Sequence, residues 1–76
     1  MKWTRITGGF QFEGKNVRLI AYKEKHLGNK WAGSVRLIKG GYFYQLPIMF
    51  DTSEECRQAT AEFARVILRW KKEFMK

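Results

Sequence analysis

Two segments in the first half of the chain show the two-residue hydrophobic period that is typical of β-strands. In the segment 17–25, one face carries Val17, Leu19 and Ala21, and the other carries Arg18, Ile20 and Tyr22. In the segment 31–39, one face carries Trp31, Gly33, Val35 and Leu37, and the other carries Ala32, Ser34, Arg36 and Ile38. Because successive side chains of a strand point to opposite faces, both segments are predicted strands with one face on a core.

A third strand is predicted over residues 42–50, "YFYQLPIMF". Gly40 and Gly41 before it have the composition of a two-residue hairpin turn. Gly28 and Asn29 suit positive φ in the loop between the first two strands. Since Pro47 has no backbone N–H, this strand is expected to lie at a sheet edge or to bulge at that residue.

The last third of the chain has the period of an amphipathic helix. Its apolar stripe is formed by Cys56, Ala59, Phe63, Val66, Ile67, Trp70 and Phe74. Asp51 or Thr52 is the predicted N-cap, and Thr52 with Glu55 three residues later matches a capping box. Acidic residues in the first turn and basic residues in the last turns complement the helix dipole.

These elements predict an α+β protein in which a three- or four-stranded antiparallel sheet packs on one long C-terminal helix. With 76 residues the chain is expected to form a single domain. The sheet is assigned to residues 17–50 and the helix to residues 51–76. Turn signals at 7–10 and 13–16 leave residues 1–16 as an N-terminal arm or one extra strand.

The net charge of +8 is concentrated on the predicted sheet. Residues 1–49 carry nine basic and two acidic residues, a net +7, whereas residues 50–76 carry six basic and five acidic residues, a net +1. A basic face of this kind attracts polyanions, of which nucleic acid is the first expectation. The alternative is that these charges only keep a small sheet soluble and prevent its edge strands from pairing with other chains.

No catalytic constellation, metal-ligand spacing or cofactor motif is recognisable, so the chain is not expected to be an enzyme and no cofactor or metal is predicted. His26 is expected to be a solvated loop residue, and Cys56 a small hydrophobic residue of the helix. The single cysteine fits a reducing compartment, no secretory signal is evident, and no apolar run approaches a membrane span. The expected location is cytoplasmic.

The predicted interface is the face of the sheet opposite the helix, where arginines would reach base edges and lysines at strand ends would contact phosphates. Phe43 and Tyr22 would be flat side chains beside these cations, able to stack on bases. The candidate nucleic-acid-binding residues are Arg18, Tyr22, Lys23, Lys25, Lys30, Ser34, Arg36, Lys39 and Phe43.

The segment "GNKWAGSVRLIKGG", followed by "FDTSEECRQATAEFAR", resembles the sheet-plus-helix DNA-binding domain of ethylene-response factors and the related arm-binding domain of tyrosine integrases. The shared features are Lys30-Trp31-Ala32, a basic residue five positions after the tryptophan, a glycine turn, and Phe50-Asp51-Thr52 before a helix with small residues. The resemblance covers residues 17–70. It implies a three-stranded sheet that enters the major groove, with Ser34 and Arg36 at outward positions, and a phage or mobile-element setting.

Several alternatives stay open from the sequence. Duplex DNA is favoured over single strands, yet a fourth strand would make the chain similar to single-strand binders of the Whirly and transcriptional-cofactor kind. A protein-binding module, such as a phage-type inhibitor of a host protein, would use the edge strand "YFYQL" or the helix end "RWKKEFMK". Trp70, Phe74 and Met75 would form a homodimer contact by helix pairing. A basic domain on anionic lipid is a third possibility.

Overall fold

The computed structural model of the chain describes residues 2–74, with side chains described for residues 2–69. Five antiparallel strands form one sheet and are followed by one helix. The elements are β1 (Thr4–Ile6), β2 (Gly9–Glu13), β3 (Val17–Glu24), β4 (Lys30–Leu37), β5 (Tyr42–Gln45) and α1 (Ser53–Phe74). The α+β class and the C-terminal helix are therefore confirmed. Among the described residues, no helix is both long enough and apolar enough to span a membrane.

The sheet is a simple meander whose neighbours in space are neighbours in sequence, in the order β1-β2-β3-β4-β5. The prediction of three or four strands falls short, because residues 1–16 contribute both β1 and β2 rather than an arm or one strand. The turn between them contains Gly8 at φ 82°, a conformation that glycine adopts without steric cost. Strands as short as β1 show no readable hydrophobic period.

The core lies between one face of the sheet and α1. Its buried residues are Leu19, Val35, Leu37, Ala61, Ala64 and Ile67, with Trp3, Phe12, Val17, Tyr44 and Phe63 packed around them. The two central strands β3 and β4 supply the sheet side, as their alternation predicts. An edge-to-face contact between the rings of Tyr44 and Phe63, with centroids 6.5 Å apart, extends this packing to β5.

The helix approaches β4 closely because small residues face each other across the layer. Thr60 and Cys56 are fully buried and lie opposite Gly33 of β4. The predicted stripe is wrong at Val66, which is 63% exposed, whereas Thr60 and Ala64 turn inward. Because Val66 is hydrophobic, the sequence predicts it in the core. The 3.6-residue period of the helix instead places Cys56, Thr60, Ala64 and Ile67 along the line that contacts the sheet.

The start of α1 is fixed by two hydrogen bonds between Thr52 and Glu55, the first of which is one half of the predicted capping box. The Glu55 backbone N–H donates to Thr52 Oγ1 at 3.2 Å, and the Thr52 hydroxyl donates to Glu55 Oε1 at 2.9 Å. Thr52 is therefore the cap, which settles the choice left between it and Asp51. The predicted dimer contact of Trp70, Phe74 and Met75 lies outside the residues whose side chains are described.

The far edge of the sheet differs from a regular hairpin in two places. The Leu37–Tyr42 register pair encloses four residues, so the predicted two-residue turn is wrong; Gly40 and Gly41 both have positive φ within this longer turn. After Gln45 the chain bulges past Pro47 and pairs again at Phe50, which exchanges two backbone hydrogen bonds with Trp31. The irregularity at Pro47 is as predicted, since proline cannot donate to the ladder.

Candidate nucleic-acid interface

The face of the sheet opposite α1, called the open face here, is organised in rows that cross the strands. Cross-strand pairing places Glu13, Arg18, Arg36 and Phe43 in one row, and Thr4, Gln11, Ile20, Ser34 and Gln45 in the next. Tyr22 and Ala32 form part of a third row. The helix contacts β3 and β4 from the other side, so Arg18 and Arg36 lie on the face away from the core.

Arg18 and Arg36 lie directly opposite each other on neighbouring strands. Like charges in this position disfavour the folded sheet by a few tenths of a kcal/mol, up to about 1 kcal/mol. Glu13 offsets part of this repulsion, because its Oε1 accepts hydrogen bonds from Arg18 Nε at 3.1 Å and from Arg18 Nη2 at 2.6 Å. The open face is consequently less cationic than its arginines alone suggest.

Arg36 has no ion-pair or hydrogen-bond partner for its side chain within residues 2–69. Its neighbour in the row is Phe43, which is 57% exposed. Arg18 and Arg36 share a shallow depression with Ile38 and Gly41 at the hairpin end of the sheet. An unpaired guanidinium beside an exposed ring is suited to contact a phosphate or a base edge.

If the open face binds DNA, replacing Glu13 by Gln is expected to raise the affinity about five-fold, because one negative charge leaves the row that would face the phosphates. The fold should be little affected, since the Arg18–Glu13 pair is largely solvent-exposed and such pairs contribute about 0–1 kcal/mol. Fluorescence anisotropy with a labelled duplex measures the first effect, and urea unfolding the second. Unchanged or weaker DNA binding by Glu13→Gln would contradict a phosphate contact at this row.

Ser34 lies on the open face, as predicted, but is only 5% exposed. Gln45 Nε2 donates to the Tyr22 hydroxyl at 3.4 Å, and this contact between β5 and β3 spans β4 above Ala32 and Ser34. Partial burial raises the pKa of Tyr22, with a smaller contribution from the charge of Glu24, so the phenol stays protonated at neutral pH. The Tyr22–Gln45 pair, rather than Ser34, presents polar groups at this position.

The four candidate lysines are not brought together. Lys30 pairs with Asp51, and Lys39 lies exposed in the turn after β4. Lys23 pairs with Trp31 in the register, which places it on the helix side of the sheet rather than on the open face. Lys25 follows in the short 3₁₀ turn Lys25–Leu27 and lines a cavity together with Lys23.

Sequence reasoning misses three residues of the open face. Glu13 lies in a segment with turn signals, and Gln11 and Gln45 carry no charge that would mark them as candidates. Once β2 and β5 are in register, Glu13 neutralises Arg18 and Gln45 engages Tyr22. Pairing partners across strands leave no local signal in the sequence, so only the register reveals them.

Cys56 and His26 lie away from the open-face row. Cys56 is fully buried beneath the sheet, and burial raises the pKa of its thiol against the opposing effects of Thr60 and Arg57. The Cys56 thiol is therefore protonated at neutral pH and a poor nucleophile. His26 Nε2 lies 3.2 Å from Glu24 Oε2 on an exposed turn. Across the described residues, no three metal-ligating side chains cluster.

Comparisons with protein-family models, with curated proteins and with solved structures found no match to this chain.

Proposed function

We propose that this protein binds nucleic acid through the open face, with duplex DNA preferred over single strands. The observation that carries the proposal is the direct juxtaposition of Arg18 and Arg36 on a face that α1 does not cover. A phosphate between the two guanidinium groups would replace their mutual repulsion by two charge-assisted contacts. Gln45 is the side chain assigned to a base edge, since glutamine can pair with adenine in the major groove.

The width of the sheet determines how it would dock. Five strands about 4.8 Å apart span roughly 19 Å between the outer two. The major groove is about 12 Å wide, so the whole sheet does not fit. The three strands β3, β4 and β5 span roughly 10 Å and carry Arg18, Arg36 and Phe43. We therefore assign the groove contact to these strands, with β1 and β2 outside it.

This mode of docking resembles that of ethylene-response-factor and integrase arm-binding domains, and the resemblance of residues 17–70 to them supports the preference for duplex DNA. The same resemblance, together with the small size of the chain, is the ground for a phage or mobile-element setting, and the single cysteine is the ground for a cytoplasmic location. The extra hairpin β1–β2 goes beyond their three-stranded pattern and meets the condition under which the chain becomes similar to single-strand binders, so single-stranded nucleic acid is the alternative ligand of the open face.

Binding to DNA should weaken steeply with salt. If Arg18, Arg36 and Lys39 each neutralise one phosphate, the slope of log K against log salt is about −2.7, and affinity falls about 40-fold between 50 and 200 mM. Anisotropy titrations of matched duplex and single-stranded oligonucleotides at several salt concentrations measure both the slope and the preference. Absence of binding to either form at 50 mM salt would overturn the proposal, and tighter binding to the single strand would overturn the duplex preference.

A protein-binding role is the second candidate, and exposed apolar residues at the β5 edge favour it. Tyr42, Phe43 and Ile48 are 51%, 57% and 61% exposed. An exposed edge strand of this kind can pair with a strand of another protein. The salt titration separates the two candidates, because a protein-binding edge predicts no association with either oligonucleotide.

A further inference from the structure

A second cationic site lies on the helix side of the sheet, at the end opposite the Arg18–Arg36 depression. A cavity of about 240 Å³ opens there beside the β1–β2 turn. Its lining residues are Arg5, Ile6, Gly8, Gly9, Phe10, Lys23, Lys25 and Trp31. Three of them are cationic, and none of the described residues that line the cavity is acidic.

The register explains why these cations converge. Arg5 lies opposite Phe10 on the helix side of the sheet, and Lys23 lies opposite Trp31 on the same side. All four residues line the cavity. The Lys23 backbone N–H donates to the Gly8 carbonyl at 3.0 Å, which holds β3 against the turn. Glu24, between the two lysines in sequence, contacts His26 instead of either lysine.

The cations of the cavity lack anionic partners. Arg5, Lys23 and Lys25 form no ion pair with any side chain in residues 2–69. Arg5 lies over the Phe10 ring at 6.0 Å, and Arg57 covers the same ring at 4.3 Å. Three like charges around one concavity, without a carboxylate to neutralise them, favour a bound anion.

The apolar wall specifies more than an anion. Trp31 is half-buried, and its ring lies 6.0 Å from that of Phe10 with a tilt of 34°. Arg57 already covers Phe10, so the indole of Trp31 is the flat surface left for a ligand. Aromatic side chains beside cations are the usual combination for stacking a base while its phosphate is paired.

We infer that this cavity is a nucleotide-binding site, in which Arg5, Lys23 and Lys25 pair with the phosphate and Trp31 contacts the planar base. The ligand is either a free nucleotide or the phosphorylated end of a nucleic-acid strand. The site lies on the opposite face of the sheet from Arg18 and Arg36, so nucleotide binding here can be tested independently of duplex binding.

The test is a nuclear magnetic resonance titration of the full chain at low salt, following the Trp31 indole N–H and the Gly8 and Lys23 amides. The probes are adenosine 5′-monophosphate, adenosine, inorganic phosphate, and a short single-stranded oligonucleotide with or without a 5′-phosphate. Saturable shifts with the monophosphate support a free nucleotide. Shifts only with the 5′-phosphorylated oligonucleotide support a strand end.

Lys23→Ala and Lys25→Ala should each weaken nucleotide binding about ten-fold, as the loss of a charge-assisted contact predicts. Lys15→Ala, which removes an exposed lysine in the turn between β2 and β3 at the other end of the sheet, is the matched control and should leave nucleotide binding unchanged. Absence of shifts at these three groups with every probe overturns the inference. Inorganic phosphate binding as tightly as the monophosphate, or equal loss in Lys15→Ala, overturns it as well.

Discussion

Gly33→Ala is expected to lower the free energy of unfolding by about 2 kcal/mol, because it overpacks the contact between β4 and α1. A Cβ at this position would overlap Thr60 Oγ1 and approach Thr60 Cβ to 3.3 Å and Cys56 Sγ to 3.4 Å. Overpacking of a well-packed core costs about 1–3 kcal/mol. In a chain of this size the melting temperature should fall by roughly 10 °C, which circular dichroism can follow.

The cause can be isolated by removing the hydroxyl that the new methyl group would strike. Thr60→Ala deletes Oγ1, so the double variant Gly33→Ala/Thr60→Ala should be more stable than Gly33→Ala alone. The double-mutant cycle should give a coupling of about 1 kcal/mol, since residues in contact couple whereas distant ones add. Strict additivity of the two changes would contradict the packing of α1 on β4.

Arg36→Glu is expected to weaken binding of duplex DNA by about 10- to 100-fold, because a paired phosphate loses its guanidinium and meets a carboxylate. The same change places Glu opposite Arg18, an attractive cross-strand pair in place of a repulsive one. The folded protein should therefore be at least as stable as the original. Loss of affinity combined with retained stability, measured by anisotropy and by urea unfolding, is the expected pair of results.

Arg65→Glu is the matched control for Arg36→Glu, because it makes the same change of charge on the exposed surface of α1. It should reduce affinity less than about three-fold, since charges more than a Debye length of about 8 Å from the DNA are screened. Equal losses in the two variants would mean that only net charge matters. A larger loss in Arg65→Glu would place DNA on the helix side.

The central strands and the helix were predictable because their signals are long and local. The alternation of Leu19 and Ala21 with Arg18 and Tyr22 predicts both the strand and its two faces. Thr52, with Glu55 three residues later, predicts where the helix begins. Gly28 and Asn29 have the positive φ expected of them. In each case the residues that form the signal lie close together in the sequence, within two helical turns or within one strand.

The remaining features depend on which strands pair, and short range patterns do not contain that information. The hairpin β1–β2 has too few residues to show a period, yet Trp3 packs on Phe12 with ring centroids 6.3 Å apart. Glu13 neutralises Arg18 only because β2 and β3 are in register. Lys23 is a predicted phosphate contact at a strand end, but its parity with Ala21 and Leu19 places it on the helix side.

The most direct measurement of nucleic-acid binding through the open face is a titration of the isotope-labelled protein with a short duplex at low salt, followed by amide chemical shifts. The largest shifts are expected at Arg18, Arg36, Phe43 and Gln45, with smaller ones along α1. Shifts that concentrate on the exposed side of α1, or an unchanged spectrum at saturating duplex, would contradict it.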